Sequence, residues 1–120
     1  MTSAERPAIR LLYASGAPAE LVRAFEHGCE EEGVPVVTTS TTSGDAATLA
    51  RTAAQESTLF IGAGIDDPGR IALQEQRLGS GNPLLGRDAT TPEGARGFGV
   101  AAGRLARGRP IPDVVAGDNV

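Results

Sequence analysis

Three carboxylates in a row, Glu30, Glu31 and Glu32, close a segment that reads as an amphipathic helix and runs into Gly33. A carboxylate offers hard oxygen, which suits Mg2+ or Ca2+, and it also pairs with arginine. The position is odd, because a helix C-terminus carries partial negative charge and an acid there costs on the order of 0.3–1 kcal/mol. With Phe25 as the inward direction and about 100° per residue, Glu32 falls about 20° from the buried stripe, while Glu30 and Glu31 lie roughly 140° and 120° to either side. On composition alone a solvated acidic corner is the plainer reading. The alternative is an anionic knob that a cation or an arginine-rich partner would neutralise.

The other reactive residue types are sparse. His27 is the only histidine and Cys29 the only thiol. Two residues apart on one helix, they point about 200° away from each other and cannot form a pair on one face. No Ser-His-Asp order and no zinc spacing can be argued. Gly62 and Gly64 in "IGAGIDDPG" follow a strand-like run. A phosphate loop there would need a helix N-terminus next. The following segment alternates like a strand and no third glycine is in register, so a tight strand–strand connection with positive φ is favoured. Asp66 and Asp67 are metal-capable but read first as turn acids. Arg96, Arg104, Arg107 and Arg109 gather near the end of the chain, either as a solvated last turn complementing the helix dipole or as a face for a partner.

These residues must be held by elements that 120 residues can supply, which suits one domain. The 40% hydrophobic content is mostly Ala, Val, Leu and Ile, with no Trp, one Tyr and three Phe. The core is therefore aliphatic. A net charge of −4 argues against nucleic acid or an anionic membrane as the main partner. A lone cysteine allows no internal disulfide and fits the cytoplasm. No apolar run approaches the ~18 residues of a membrane span, no signal peptide is expected, and there is no internal repeat.

"AIRLLYAS" (Ala8–Ser15) reads as a buried strand between Pro7 and Gly16. From Ala19 to Glu32, Leu21, Val22, Phe25 and Cys29 have helical spacing, with Gly33 as the stop. "PVVTTST" (Pro35–Thr41) is strand-like, and Ser43 or Asp45 caps a helix over Ala46–Glu56. "TLFIGAG" (Thr58–Gly64), a turn at Asp66–Gly69 and the alternating "RIALQEQ" give two further strands. "GSGNP" (Gly79–Pro83) is a loop, and Leu84–Leu85 a short last strand. Thr91, Pro92 and Glu93 open a helix that reaches about Arg107 and stops at Gly108 and Pro110. Gly94, Gly97, Gly99 and Gly103 inside it each cost up to about 1 kcal/mol relative to Ala. They signal either a poorly formed helix or a close backbone approach to another surface. The order predicts a single open, largely parallel α/β sheet with helices on its faces.

Four stretches in sequence, "EEEGVP", "LFIGAGIDDPGRIALQEQRL", "NPLL" and "RGFGVAAGRLARGRP", resemble the small subunit of the reactivating factor for adenosylcobalamin-dependent diol and glycerol dehydratases. In the last, Arg96, Gly99, Arg104, Leu105, Gly108 and Pro110 match the family pattern, Arg107 stands for a lysine and Gly103 for an alanine. Gln74 and Leu85 stand where relatives often carry a histidine and an aromatic residue. The resemblance runs to about Pro112, dividing the chain into one domain (residues 1–112) and a flexible C-terminal tail (residues 113–120).

The resemblance implies a fold like the dehydratase medium-subunit domain and a non-catalytic role without a catalytic or cofactor-binding residue of its own. The implied partner is a large subunit that resembles actin-fold ATPases, in a complex of two large and two small chains, with ATP or ADP on the large subunit only. The small subunit leaves, the large one docks transiently on the dehydratase, damaged cobalamin escapes, and ATP resets the complex. The middle glutamate of "EEEG", Glu31 here, is implied to complete a Mg2+ site shared with the large subunit. Glu30, Glu31, Arg96 and Arg104 are the implied partner-binding residues. No nucleic acid or membrane is expected, and the implied location is cytoplasmic, with a bacterial microcompartment left open. The rival reading is a structural medium-subunit-like component of the dehydratase itself; the expected lack of an N-terminal extension favours the reactivating factor. A small enzyme of unknown type comes third.

Overall fold

Alternation and length decide which segments of this chain extend and which coil. The computed structural model describes residues 7–76, 85–87 and 91–109. Its elements are β1 (Ile9–Ala14), α1 (Ala19–Glu31), β2 (Val36–Thr41), α2 (Ala46–Glu56), β3 (Ile61–Ile65), β4 (Ile71–Glu75), β5 (Leu85–Arg87) and α3 (Pro92–Ala106). The five strands form one sheet in the order β2-β1-β3-β4-β5. β1 pairs parallel with β2 and β3, while β4 is antiparallel to both β3 and β5. Four strands therefore run one way and β4 alone opposes them, so the open, largely parallel sheet expected from the element order is what forms.

The chain steps from β1 outward to β2 through α1, then back past β1 to β3 through α2. Crossovers that share one hand but move in opposite directions must use opposite faces of the sheet. Accordingly α1 and α3 cover one face, where Ile9, Leu11, Phe25, Ile61, Ile65, Leu73 and Phe98 form the main core. α2 covers the other, where Leu12 meets Leu49 and Ala53, and Ala72 meets Ala46 and Ala50. β4 is buried on both sides, and its alternation sends Ile71 and Leu73 to one core and Ala72 to the other.

Helix ends follow local chemistry. The Asp45 carboxylate accepts from the Thr48 N–H at 2.7 Å and Thr91 Oγ1 from the Gly94 N–H at 3.1 Å, each satisfying a donor the helix leaves open. Between Ser43 and Asp45, Asp45 is the cap. Gly33 (φ 76°) and Gly108 (φ 70°) take the left-handed conformation just past α1 and α3, as their stop role requires.

Two expectations need correction. β3 begins at Ile61, not Thr58. The Ser57 hydroxyl donates to the Ala8 carbonyl at 2.7 Å and accepts from the Leu59 N–H at 2.9 Å, and Phe60 has φ 62°, so these residues turn before the strand starts. Gly62 and Gly64 lie inside β3 and do not serve a positive-φ connection. A Cβ on Gly62 would stand 2.1 Å from Ala54 N, and one on Gly64 2.4 Å from the Ala46 carbonyl oxygen. Their role is to let the α2 backbone lie directly on the sheet. The described residues of the last strand are Leu85–Arg87. Leu84, the Gly79–Pro83 loop, Pro110 and the 113–120 tail lie outside the described residues.

Candidate functional site

The acidic corner sits where α1 ends and the chain turns into β2. α1 and α3 converge there, because a Cβ on Gly28 would be 2.1 Å from the Arg96 carbonyl oxygen and one on Gly99 would be 2.1 Å from that of Phe25. Of the two readings of the α3 glycines, close approach is the one realised at Gly99 and Gly103, and the approached surface is α1. Gly28, its counterpart, gave no signal on its own within an otherwise ordinary helical pattern.

This contact carries the arginines to the carboxylates. Glu32 is buried, 8% exposed, as its angle to Phe25 predicts, while Glu30 and Glu31 are exposed. The Glu32 carboxylate accepts from Arg104 Nε at 3.2 Å and from Arg109 Nη1 at 3.3 Å, and its carbonyl accepts from Arg107 Nη1 at 2.7 Å. Glu31 is gripped at both oxygens by Arg96, through Nε at 2.5 Å and Nη2 at 3.1 Å. That fork-to-fork pair raises the Arg96 pKa above its ordinary value, first by hydrogen bonding and then by the charge of Glu31. Four guanidinium groups thus converge on two residues, three of them on the carboxylates of Glu31 and Glu32 and Arg107 on the Glu32 carbonyl. The corner is an ionic cluster within the fold, neither a bare acidic knob nor a solvated arginine turn.

The remaining candidates separate cleanly. His27 is exposed and Cys29 buried, on opposite sides of α1. Burial, reinforced by Glu26 and Glu30, pushes the Cys29 thiol up to about 12, so it is an inert core group. Asp66 is 3% exposed and accepts from the N–H groups of Gly69 and Arg70 and from Arg70 Nε, the last two at 2.7 Å. Asp67 Oδ1 accepts from the Gly16 N–H at 3.1 Å. Among the described residues no three His, Cys, Asp or Glu side chains are grouped to hold a metal, and no helix is long and apolar enough to cross a membrane.

The Asp67–Gly16 bond lies at an informative place. In open α/β sheets, ligands bind beyond the carboxyl ends of the strands where the winding reverses, which here is between β1 and β3. In this chain that crevice is bridged by the chain's own carboxylate on the backbone N–H that a phosphate would seek. The charged corner and the C-terminal ends of all three helices lie at the opposite, amino-terminal end of the parallel strands.

The chain is thus an open α/β domain with an ionic cluster where α1 and α3 meet. Residues 6–112 match the dehydratase medium subunit family. A glycerol dehydratase reactivase structure is 33% identical, with a TM-score of 0.82 over 89% of this chain and 97% of that one. A diol dehydratase-reactivating factor, solved in complex with ADP and Mg2+, is 27% identical with a TM-score of 0.80 over 91% of this chain and all of that one. No curated sequence matches. The chain belongs to the dehydratase medium-subunit family, in the branch of the diol and glycerol dehydratase reactivating factors.

Proposed function

We propose that this chain is the non-catalytic small subunit of a chaperone-like, ATP-dependent reactivating factor. In this reading the factor releases damaged cobalamin from adenosylcobalamin-dependent diol or glycerol dehydratase by subunit exchange. The observation that carries the reading is the 33% identity over 97% of a glycerol dehydratase reactivase chain, which makes the two chains near-equal in length. ATP hydrolysis belongs to the large subunit, and the factor contains two large and two small chains. The bridged β1–β3 crevice supports leaving the nucleotide off this chain.

Glu31 donates a carboxylate oxygen across the interface to Mg2+ held mainly by the large subunit, with Glu30, Arg96 and Arg104 at its border. The donor fits the ion: Mg2+ takes one or two carboxylates and keeps its waters, and Glu31 offers an exposed carboxylate at a helix end. Arg96 holds that carboxylate in the free chain and must yield at least one oxygen. Arg104 serves Glu32 and hence the fold first.

The rival reading, a medium-subunit-like component of the dehydratase itself, draws on the description of the matching family. Titration of the large subunit, with Mg2+ and with a chelator, tests the metal contact. Glu31→Gln nearly keeps the shape and removes the charge, so it weakens binding in Mg2+ and not in chelator, while Glu30→Gln does much less. Equal affinities of wild type and Glu31→Gln at saturating Mg2+ rule the contact out.

A further inference from the structure

Glu31 and Glu32 are neighbours in the chain, and arginine serves them unequally. Glu32 takes Arg104 and Arg109 on its carboxylate and Arg107 on its carbonyl. Glu31 takes one side chain, Arg96, at both of its oxygens. The Glu32 carboxylate is 9% exposed, whereas the Glu31–Arg96 pair stands open to water. The helix contact does not depend on that pair. Gly28 lets the α1 backbone lie on the Arg96 carbonyl, and the arginines at the end of α3 fasten Glu32. An exposed pair adds little to such a contact.

What Arg96 supplies is a cation where one is wanted. Glu31 is the last residue of α1, at the negative end of the helix dipole, with Glu30 and Glu32 beside it in the chain. An unaccompanied negative charge is unfavourable there. A guanidinium forked on both oxygens compensates it, and so would a hard cation on one oxygen. The two compensations compete. Each oxygen in the fork already accepts an N–H, and two cations crowded on one carboxylate repel each other.

We infer that Arg96 is a resident counter-ion of Glu31, occupying in the free chain the carboxylate that Mg2+ takes at the large-subunit interface, so that the metal contact forms by exchange of one cation for the other. The inference rests on the proposed small-subunit reading and its Mg2+ contact. Arg96 acts through Glu31 and is a positioning residue. It orders the carboxylate before docking, and it lowers the apparent affinity of the contact by the fraction of chains in which the carboxylate is held. When the contact breaks, Arg96 recaptures Glu31, which favours release of a subunit that must leave as well as bind.

The test titrates the purified large subunit with wild type, Arg96→Ala, Glu31→Gln and the double variant, in Mg2+ and in chelator. Arg96→Ala should bind about two- to fivefold more tightly than wild type in Mg2+, the range an exposed pair spans. The gain should vanish in chelator and in the Glu31→Gln background. In nitrogen-labelled chain the Arg96 Nε–H resonance reads the exchange directly. It should shift when Glu31→Gln breaks the fork in the free chain, and shift likewise when wild type joins the large subunit in Mg2+ but not in chelator. Unchanged or weaker binding of Arg96→Ala in Mg2+ overturns the exchange, and so does a gain that persists in chelator or without Glu31. Equal binding of wild type and Glu31→Gln in Mg2+ overturns the metal contact together with the exchange. A wild-type chain that does not bind the large subunit overturns the small-subunit reading itself, so the three failures are told apart.

Discussion

Arg96 and Arg104 have the same chemistry and opposite duties. Arg104 reaches a carboxylate that is 9% exposed, whereas Arg96 and Glu31 are about half exposed, at 53% and 43%. Removing Arg104 leaves a nearly buried charge short of a partner, so Arg104→Ala should lower stability by about 1–3 kcal/mol in denaturant unfolding. Arg96→Ala should leave the melting temperature of the free chain unchanged, because exposed pairs contribute little. The sequence presented the two as equals. Their partners, 65 and 72 residues away, are assigned only by the packing of α3 on α1. Cys29 gives a second residue-scale prediction. Its folded pKa is raised from 9.0 to about 12, so its contribution to stability is fully present below pH 9 and is lost as pH rises toward 12. Denaturant midpoints of wild type should fall across that window more steeply than those of Cys29→Ala, and parallel pH profiles would contradict the assignment.

At the scale of elements, the chain was largely legible. Helical spacing, caps and stops gave α1, α2 and α3 to within a residue or so, since each signal is local in sequence. β3 was misplaced because its start depends on Ser57 meeting Ala8, 49 residues away. The glycines were the harder case, for a glycine in a helix weakens it alone and permits contact only when another backbone arrives. Gly28 and Gly99 make this testable. In an isolated helix Gly99→Ala would gain up to about 1 kcal/mol. In the protein its Cβ would meet the Phe25 carbonyl oxygen at 2.1 Å, backbone that cannot swing aside, so Gly99→Ala should instead cost about 1–3 kcal/mol or more. A stabilised Gly99→Ala variant would mean that α1 and α3 do not touch here. The acidic corner was half legible: the angles placed Glu32 inside and Glu31 outside, but nothing local told that four arginines would answer them.

At the scale of the whole molecule, the sheet presents two unlike ends. At the carboxyl ends of β1 and β3, where related architectures hold a ligand, Asp67 bridges to Gly16. At the other end lies the ionic cluster with Glu31. Under the proposed reading, this second end is the one the large subunit docks on. The most direct measurement is recovery of dehydratase turnover. Dehydratase inactivated by substrate is incubated with adenosylcobalamin, ATP, Mg2+ and the large subunit, with and without this chain. Turnover should return in full only when the chain is present, and the chain alone should restore none. Equal recovery with and without it, or a chain that remains bound to the dehydratase as a permanent component, would contradict the account.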